Sequence, residues 1–209
     1  MSAPVQKWSG SFDIKLFDEL LGRGLCNGAG KGNADGGQVC VEQAIALACG
    51  ETPEPGDEAT DQPSCALYPA RRYAISLNDA AWESEEARAR GMRSFAIAQV
   101  GTSHLDPREF SRRLAEATIR ELLPVALRAA AKLNPKHAEA LEASAKRCEV
   151  EGTEKAARNA RSAAAYAAYA AAAYAARAAA RTKVLTAAAD MAARILNEMR
   201  EADAAKGGA

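Results

Sequence analysis

The sequence predicts an all-α protein, a compact bundle of about six to eight helices with a Gly-rich N-terminal loop and a long Ala-rich C-terminal helix or helix pair. The strongest sign is the run from Thr153 to Lys206, about fifty residues without a Gly or Pro. Ala loses no side-chain entropy in a helix, so Glu154 to Arg181 is expected to be helical on propensity alone, with Thr153 as N-cap. Composition agrees: aromatic residues make up only 5% of the chain, whereas sheets favour aromatic and β-branched side chains. Helix start signals also recur, at Ser84-Glu85-Glu86, Asp106-Pro107-Arg108-Glu109 and Asn134-Pro135.

Taken in order, Phe12, Leu16, Phe17 and Leu20 lie at helical spacing, so Ser11 to Leu21 is expected to form a short docking helix ended by Gly22 and Gly24. The next stretch, Gly22 to Gly37, reads G-R-G-L-C-N-G-A-G-K-G-N-A-D-G-G. A phosphate-binding P-loop needs G-x-x-x-x-G-K-[ST] after a strand. Here Gly30-Lys31 is followed by Gly32, Leu25 holds the first Gly position, and a helix precedes. The dinucleotide fingerprint fails because Asn27, Asn33 or Asp35 takes the third Gly position in each register. In a calcium loop Asn33, Asp35, Gly36 and Glu42 would be ligand or turn positions, but the cation Lys31 stands where the first carboxylate belongs. The stretch is therefore expected to be a structural loop that takes φ > 0 repeatedly and passes close to a neighbouring helix.

Gly36 to Cys49 reads as a helix closed by Gly50, with Cys40 in its first turn. Thiolates are stabilised at helix N-termini, which makes Cys40 a candidate nucleophile. Its base would have to be His104 or His137, both far along the chain. Cys40 also shares a helical face with Ala44 and Leu47, the pattern of a buried structural cysteine. Glu51 to Pro63 carries five acids and Pro53, Pro55 and Pro63, and is expected to be a solvated loop. Pro69 to Leu77 is a short helix or extended piece. Ser84 starts a helix to Val100 whose apolar stripe is Met92, Phe95, Ala96 and Val100, and Gly101 stops it. The helix after Asp106 carries Phe110, Leu114, Ile119 and Leu122, is kinked by Pro124, and resumes to Leu133. Asn134-Pro135 opens a mostly exposed helix through Cys148.

Along the C-terminal run, Tyr166, Tyr169, Tyr174, Arg177 and Arg181 fall inside one arc of roughly 140° at about 100° per residue. The opposite face is Ala164, Ala165, Ala168, Ala171, Ala172, Ala175, Ala178 and Ala179. A surface of methyl groups lets a second backbone approach to about 8 Å, so this face reads as a close helix contact. The stripe Val184, Leu185, Ala188, Met191, Ala192, Ile195 and Met199 would extend the Tyr/Arg face on a continuous helix. Either the helix breaks near Thr182, which would cap a new one, or the Tyr/Arg face is partly covered.

The chain is long enough for one domain, 1–209, with a candidate subdivision into a loop-rich part, 1–105, and helical hairpins, 106–209. Its formal net charge is zero, so no global field draws it to nucleic acid or to an acidic membrane. No apolar run approaches the ~18 residues of a membrane span. Met1 to Gly10 lacks a hydrophobic core and cleavage site, so no signal peptide is expected. Cys26, Cys40, Cys49, Cys65 and Cys148 contain no C-x-x-C pair and are expected to be free thiols in a cytoplasmic protein, with no metal and no cofactor.

The runs G-Q-V-C-V-E-Q-A-I-A-L-A-C-G from Gly37, S-L-N-D-A-A-W from Ser76 and A-R-A-R-G-M-R-S-F-A-I-A-Q-V-G-T from Ala87, with the terminal Ala/Tyr-rich helix, resemble a group of uncharacterised proteins of bacterial and phage genomes. The resemblance covers about Leu16 to Met199. It implies a cytosolic, phage-borne protein and carries no activity, cofactor or site residue. The function expected is a non-enzymatic helical interaction or assembly protein, self-associating or binding a protein partner through close Ala-face packing, because no complete catalytic set is present. Two alternatives belong to other classes. An anionic small molecule such as a nucleotide would bind where Arg177 and Arg181 fork onto phosphate and Tyr166, Tyr169 or Tyr174 stacks on a base. A hydrolase or transferase would depend on Cys40.

Overall fold

The computed structural model describes residues 8–28, 30–32, 36–51, 58–133, 135–160 and 177–207. The all-α expectation holds: these residues form helices joined by loops, with one isolated bridge between Leu25 and Val39 and no strand among them. The helices are α1 (Ile14–Gly22), α2 (Val41–Ala48), α3 (Tyr68–Asn78), α4 (Glu85–Gln99), α5 (Pro107–Ala117), α6 (Leu123–Leu133), α7 (Ala138–Glu151), α8 (154–160) and α9 (Arg177–Gly207). Among the described residues no helix is long and apolar enough to cross a membrane.

Helix α2 is the centre, with every residue from Val41 to Ala48 buried. Around it lie Phe17 and Leu20 of α1, Ala70 and Ala74 of α3, and Met92, Phe95 and Ala96 of α4. Helix α9 runs along α4 and presents Ala188, Ala189, Ala192 and Ala193 to this core. Small side chains let the two helices close up. Gly91 leaves no room for a side chain at this contact, since a Cβ there would collide with the Trp82 ring and with Thr186 Oγ1. This principal core draws residues from both sides of position 105. A second core forms between α6, α7 and α8 from Leu127, Leu141, Ala145, Cys148, Ala156 and Ala160.

Several boundaries differ from the sequence expectation, each for a local reason. Helix α1 starts at Ile14, not Ser11, because the Asp13 carboxylate accepts from the N–H groups of Lys15 (2.9 Å) and Leu16 (3.1 Å). Helix α2 starts only at Val41: Gly36 to Val39 stay in the loop, and Cys40 is the N-cap instead of a first-turn residue. Pro124 lacks an N–H and its ring would crowd the carbonyl of residue 120. The chain meets this with a π turn at Thr118–Leu122, which joins α5 to α6. Pro135 opens a 3₁₀ turn (Pro135–His137) before α7. Helix α9 does not break at Thr182, whose hydroxyl instead accepts from the Glu83 N–H (3.2 Å). The acidic loop is not solvated throughout, since Ala59 and Pro63 are buried. The Ala164 to Ala175 part of the predicted Ala face lies outside the described residues, and the side chains of Ala178 and Ala179 do so as well.

The Gly-rich loop is fastened to the core by polar side chains, of which Gln43, Asn78 and Arg88 are buried and Asp79 is exposed. Gln43 Oε1 accepts from the N–H groups of Gly30 (2.8 Å) and Cys40 (3.0 Å), while its Nε2 donates to the carbonyls of Gly30 (2.9 Å) and Ala59 (2.8 Å). Asn78 Nδ2 donates to the Cys26 carbonyl (2.9 Å), and Asp79 Oδ1 accepts from Gly28 N–H (2.8 Å). The buried Arg88 donates to the Leu25 carbonyl (2.5 Å). Gly30 allows the loop to cross itself, because a Cβ there would overlap the Gln38 carbonyl and Val39 Cα.

Glu42 is fully buried in α2 and accepts from Gln99 Nε2 at 3.0 Å, leaving Glu42 Oε2 and Gln99 Oε1 without a hydrogen-bond partner. Burial pushes its carboxyl up to about 8 against the pull of Gln99 and Arg71, with Cys65 and Asp61 raising it further. Because this value lies above the unfolded carboxyl near about 4.3, folding takes up a proton in the window between them. The stability from the neutral form is full below the unfolded value and lost as pH rises through the folded one. In Glu42→Gln, denaturant titrations across pH should lose a downward slope of at most about 1.4 kcal/mol per pH unit that the parent shows in that window. Equal slopes in the two proteins would contradict the assignment.

Candidate interaction surface

Of the five residues predicted to form a binding face, Tyr166, Tyr169 and Tyr174 lie outside the described residues, as does the side chain of Arg177, which opens α9. Arg181 is exposed, with Nη1 3.5 Å from the Ala81 carbonyl. The calcium-loop positions Asn33 and Asp35 are likewise outside the described residues, and Glu42 is sealed within α2. Among the described residues no group of three His, Cys, Asp or Glu side chains is arranged to hold a metal ion.

Cys40 is buried at the N-cap of α2 beside a cavity of about 140 Å³ lined by Gly28, Val41, Asp61, Ile75, Asn78 and Asp79. Burial pushes its thiol up to about 12, outweighing the hydrogen bonds at the helix start. Neither histidine lines this cavity. His104 faces Asp203 at 3.2 Å between the start of α5 and the end of α9, and His137 ends the 3₁₀ turn.

The surface also holds larger concavities, two of them of about 540 Å³ or more. One, of about 610 Å³, lies between the start of α5 and the end of α9; in it His104 faces Asp203, and Glu109 pairs with Arg112 and Arg113. The other is a groove of about 540 Å³ between α3 and α5, lined by Pro69, Arg72, Tyr73 and Ser76 on one side and by Ser111, Leu114, Ala115, Thr118 and Ile119 on the other. No acid lines it, and Arg72 is its single charged side chain. The hydroxyls of Ser76, Ser111 and Thr118 each donate to a carbonyl one turn back, of Arg72 (3.0 Å), Pro107 (2.8 Å) and Leu114 (2.7 Å). Their protons are thus engaged, and toward the groove the oxygens offer acceptor lone pairs. At the head of the groove, one turn before Arg72, stands Tyr68, 63% exposed and steadied by the Arg71 guanidinium 5.3 Å from its ring centroid.

Sequence reasoning missed this groove because it left Pro69 to Leu77 between helix and extended chain, and because α3 and α5 are distant in sequence. The signal that could have found it is Tyr68-Pro69, an aromatic beside a helix-starting proline, with Ser76 two turns on. Comparison with protein-family models, curated proteins and solved structures gives no match. The geometry at Cys40 leads to a direct expectation. Iodoacetamide should label Cys40 only on unfolding, read by peptide mapping of native and denatured chains, and rapid native labelling would show a reactive thiol instead.

Proposed function

We propose that the chain is a non-enzymatic helical interaction protein that pairs with a second copy of itself across the α3/α5 groove. The observation that carries this reading is the exposed Tyr68 knob set beside an apolar hollow on the same face. A two-fold contact must be self-complementary, with a projection and a matching recess on one patch. Tyr68 of each copy enters the groove of the other, its phenol O–H donating to the Ser76 or Ser111 oxygen whose own proton is already engaged. A buried aromatic anchor of this kind is what dominates interface energetics. This replaces the Ala face as the contact argued for, while keeping the class of function expected from the sequence.

A cytoplasmic, phage-borne setting belongs to the same proposal. It is supported by the resemblance to bacterial and phage proteins and by five cysteines that are all free. The Cys40 enzyme reading draws no support from a thiol raised to about 12 without a histidine beside it.

Sedimentation equilibrium of the full chain over a concentration series tests the pairing. The parent should fit a monomer–dimer equilibrium, and Tyr68→Ala and Ser111→Arg, both at exposed positions, should each shift it to monomer with unchanged helical circular dichroism. A parent that stays monomeric at every concentration, or a dimer indifferent to both substitutions, would overturn it.

A further inference from the structure

The end of α2 and the turn that enters α3 bring two thiols into contact. Cys49 is the C-cap of α2 and Cys65 precedes α3 by two residues, yet their sulfurs lie 3.2 Å apart. Both backbones are fixed. Cys49 N–H donates to the Ile45 (2.9 Å) and Ala46 (3.1 Å) carbonyls, and the Cys65 carbonyl accepts from Thr102 (2.9 Å) and Ser103 (3.1 Å) N–H. A disulfide needs sulfurs about 2.05 Å apart, so about 1 Å of side-chain rotation is the only movement left.

The two sulfurs differ in access. Cys65 is fully buried, while Cys49 is only partly buried. The Cys49 S–H and the Gly101 backbone N–H, both directed at Cys65, hold the Cys65 thiol below its ordinary value, against the opposing effect of burial. Two turns before Cys49 on the same face of α2, the buried Glu42 has a carboxylate oxygen without a partner.

We propose that Cys49 and Cys65 form a thiol–disulfide exchange site for low-molecular-weight disulfides, with Cys49 as the entry sulfur and Cys65 as the resolving sulfur. Cys65, the sulfur favoured as thiolate, takes the Cys49 proton across their 3.2 Å contact, and Cys49 attacks one sulfur of the incoming disulfide RSSR, forming Cys49–S–SR and releasing RS⁻, which then takes that proton from Cys65. Cys65 then attacks the Cys49 sulfur, the Cys49–Cys65 bond forms, and the second RS⁻ leaves. The two cysteine protons end on the two released thiols, so one disulfide is reduced for each cross-link made. The product ties the end of α2 directly to the entrance of α3, the helix that forms one wall of the groove described above. The exchange site stands independently of pairing through that groove.

The test is incubation of the full chain with glutathione disulfide, followed by alkylation under denaturing conditions and peptide mapping. The expected result is loss of two of the five alkylatable thiols, a Cys49–Cys65 cross-linked peptide, and no lasting glutathione adduct. Cys65→Ser should trap glutathione on Cys49, and Cys49→Ser should leave Cys65 reduced. Five retained thiols in the parent, a persistent Cys49 adduct, or a cross-link between another pair would overturn the proposal. Should either variant fail to fold, the parent's peptide map decides alone.

Discussion

The side-chain amide of Gln43 uses its full hydrogen-bonding capacity, two lone pairs and two protons, on backbone groups of Gly30, Cys40 and Ala59. The rest of the N-terminal half depends on this. Helix α2 is wholly buried, so the loop that covers its start and the segment that follows its end must both lie against it, and both bring backbone polar groups inside. Each such group left without a partner costs about 1–3 kcal/mol. Gln43 meets several of those demands from one position on the helix it protects, and Asn78 and Asp79 meet others from the end of α3.

This arrangement explains what could be read from the sequence and what could not. Caps at Ser84 and Asp106 and the stripe Met92, Phe95, Ala96 were legible because helix ends and apolar periodicity are local properties. The position of Cys40 at a helix start looked like nucleophile chemistry, but Cys40 is packed away, and Gln43 one turn on serves the loop. The fasteners are Gln43, Asn78, Asp79, and Trp82, whose indole donates to the Leu77 carbonyl at 2.7 Å. The groove and the Cys49–Cys65 contact were not legible. Each joins elements distant in sequence, and sixteen positions separate the two cysteines, far from the C-x-x-C spacing that a sequence search rewards.

The principal core ends where α9 lies down on α4, and the joint is made largely of small residues, Gly91 among them. Beyond it the π turn at Pro124 redirects the α5–α6 rod into the second core. There Arg120 donates to the carbonyls of Glu149, Val150 and Glu151 at the end of α7, and Arg128 bridges Glu142 and Glu149. These contacts use α7's own free carbonyls and carboxylates, which leaves the α3/α5 face as the apolar hollow with an unmet shape.

Native-state hydrogen exchange resolved to single amides addresses the Gln43 fastening most directly. If the loop is part of the core, the Gly30 and Cys40 N–H groups exchange only through the same global opening as the amides of α2, despite lying outside any helix interior. Exchange of those two amides by fast local opening, with α2 still protected, would contradict this account.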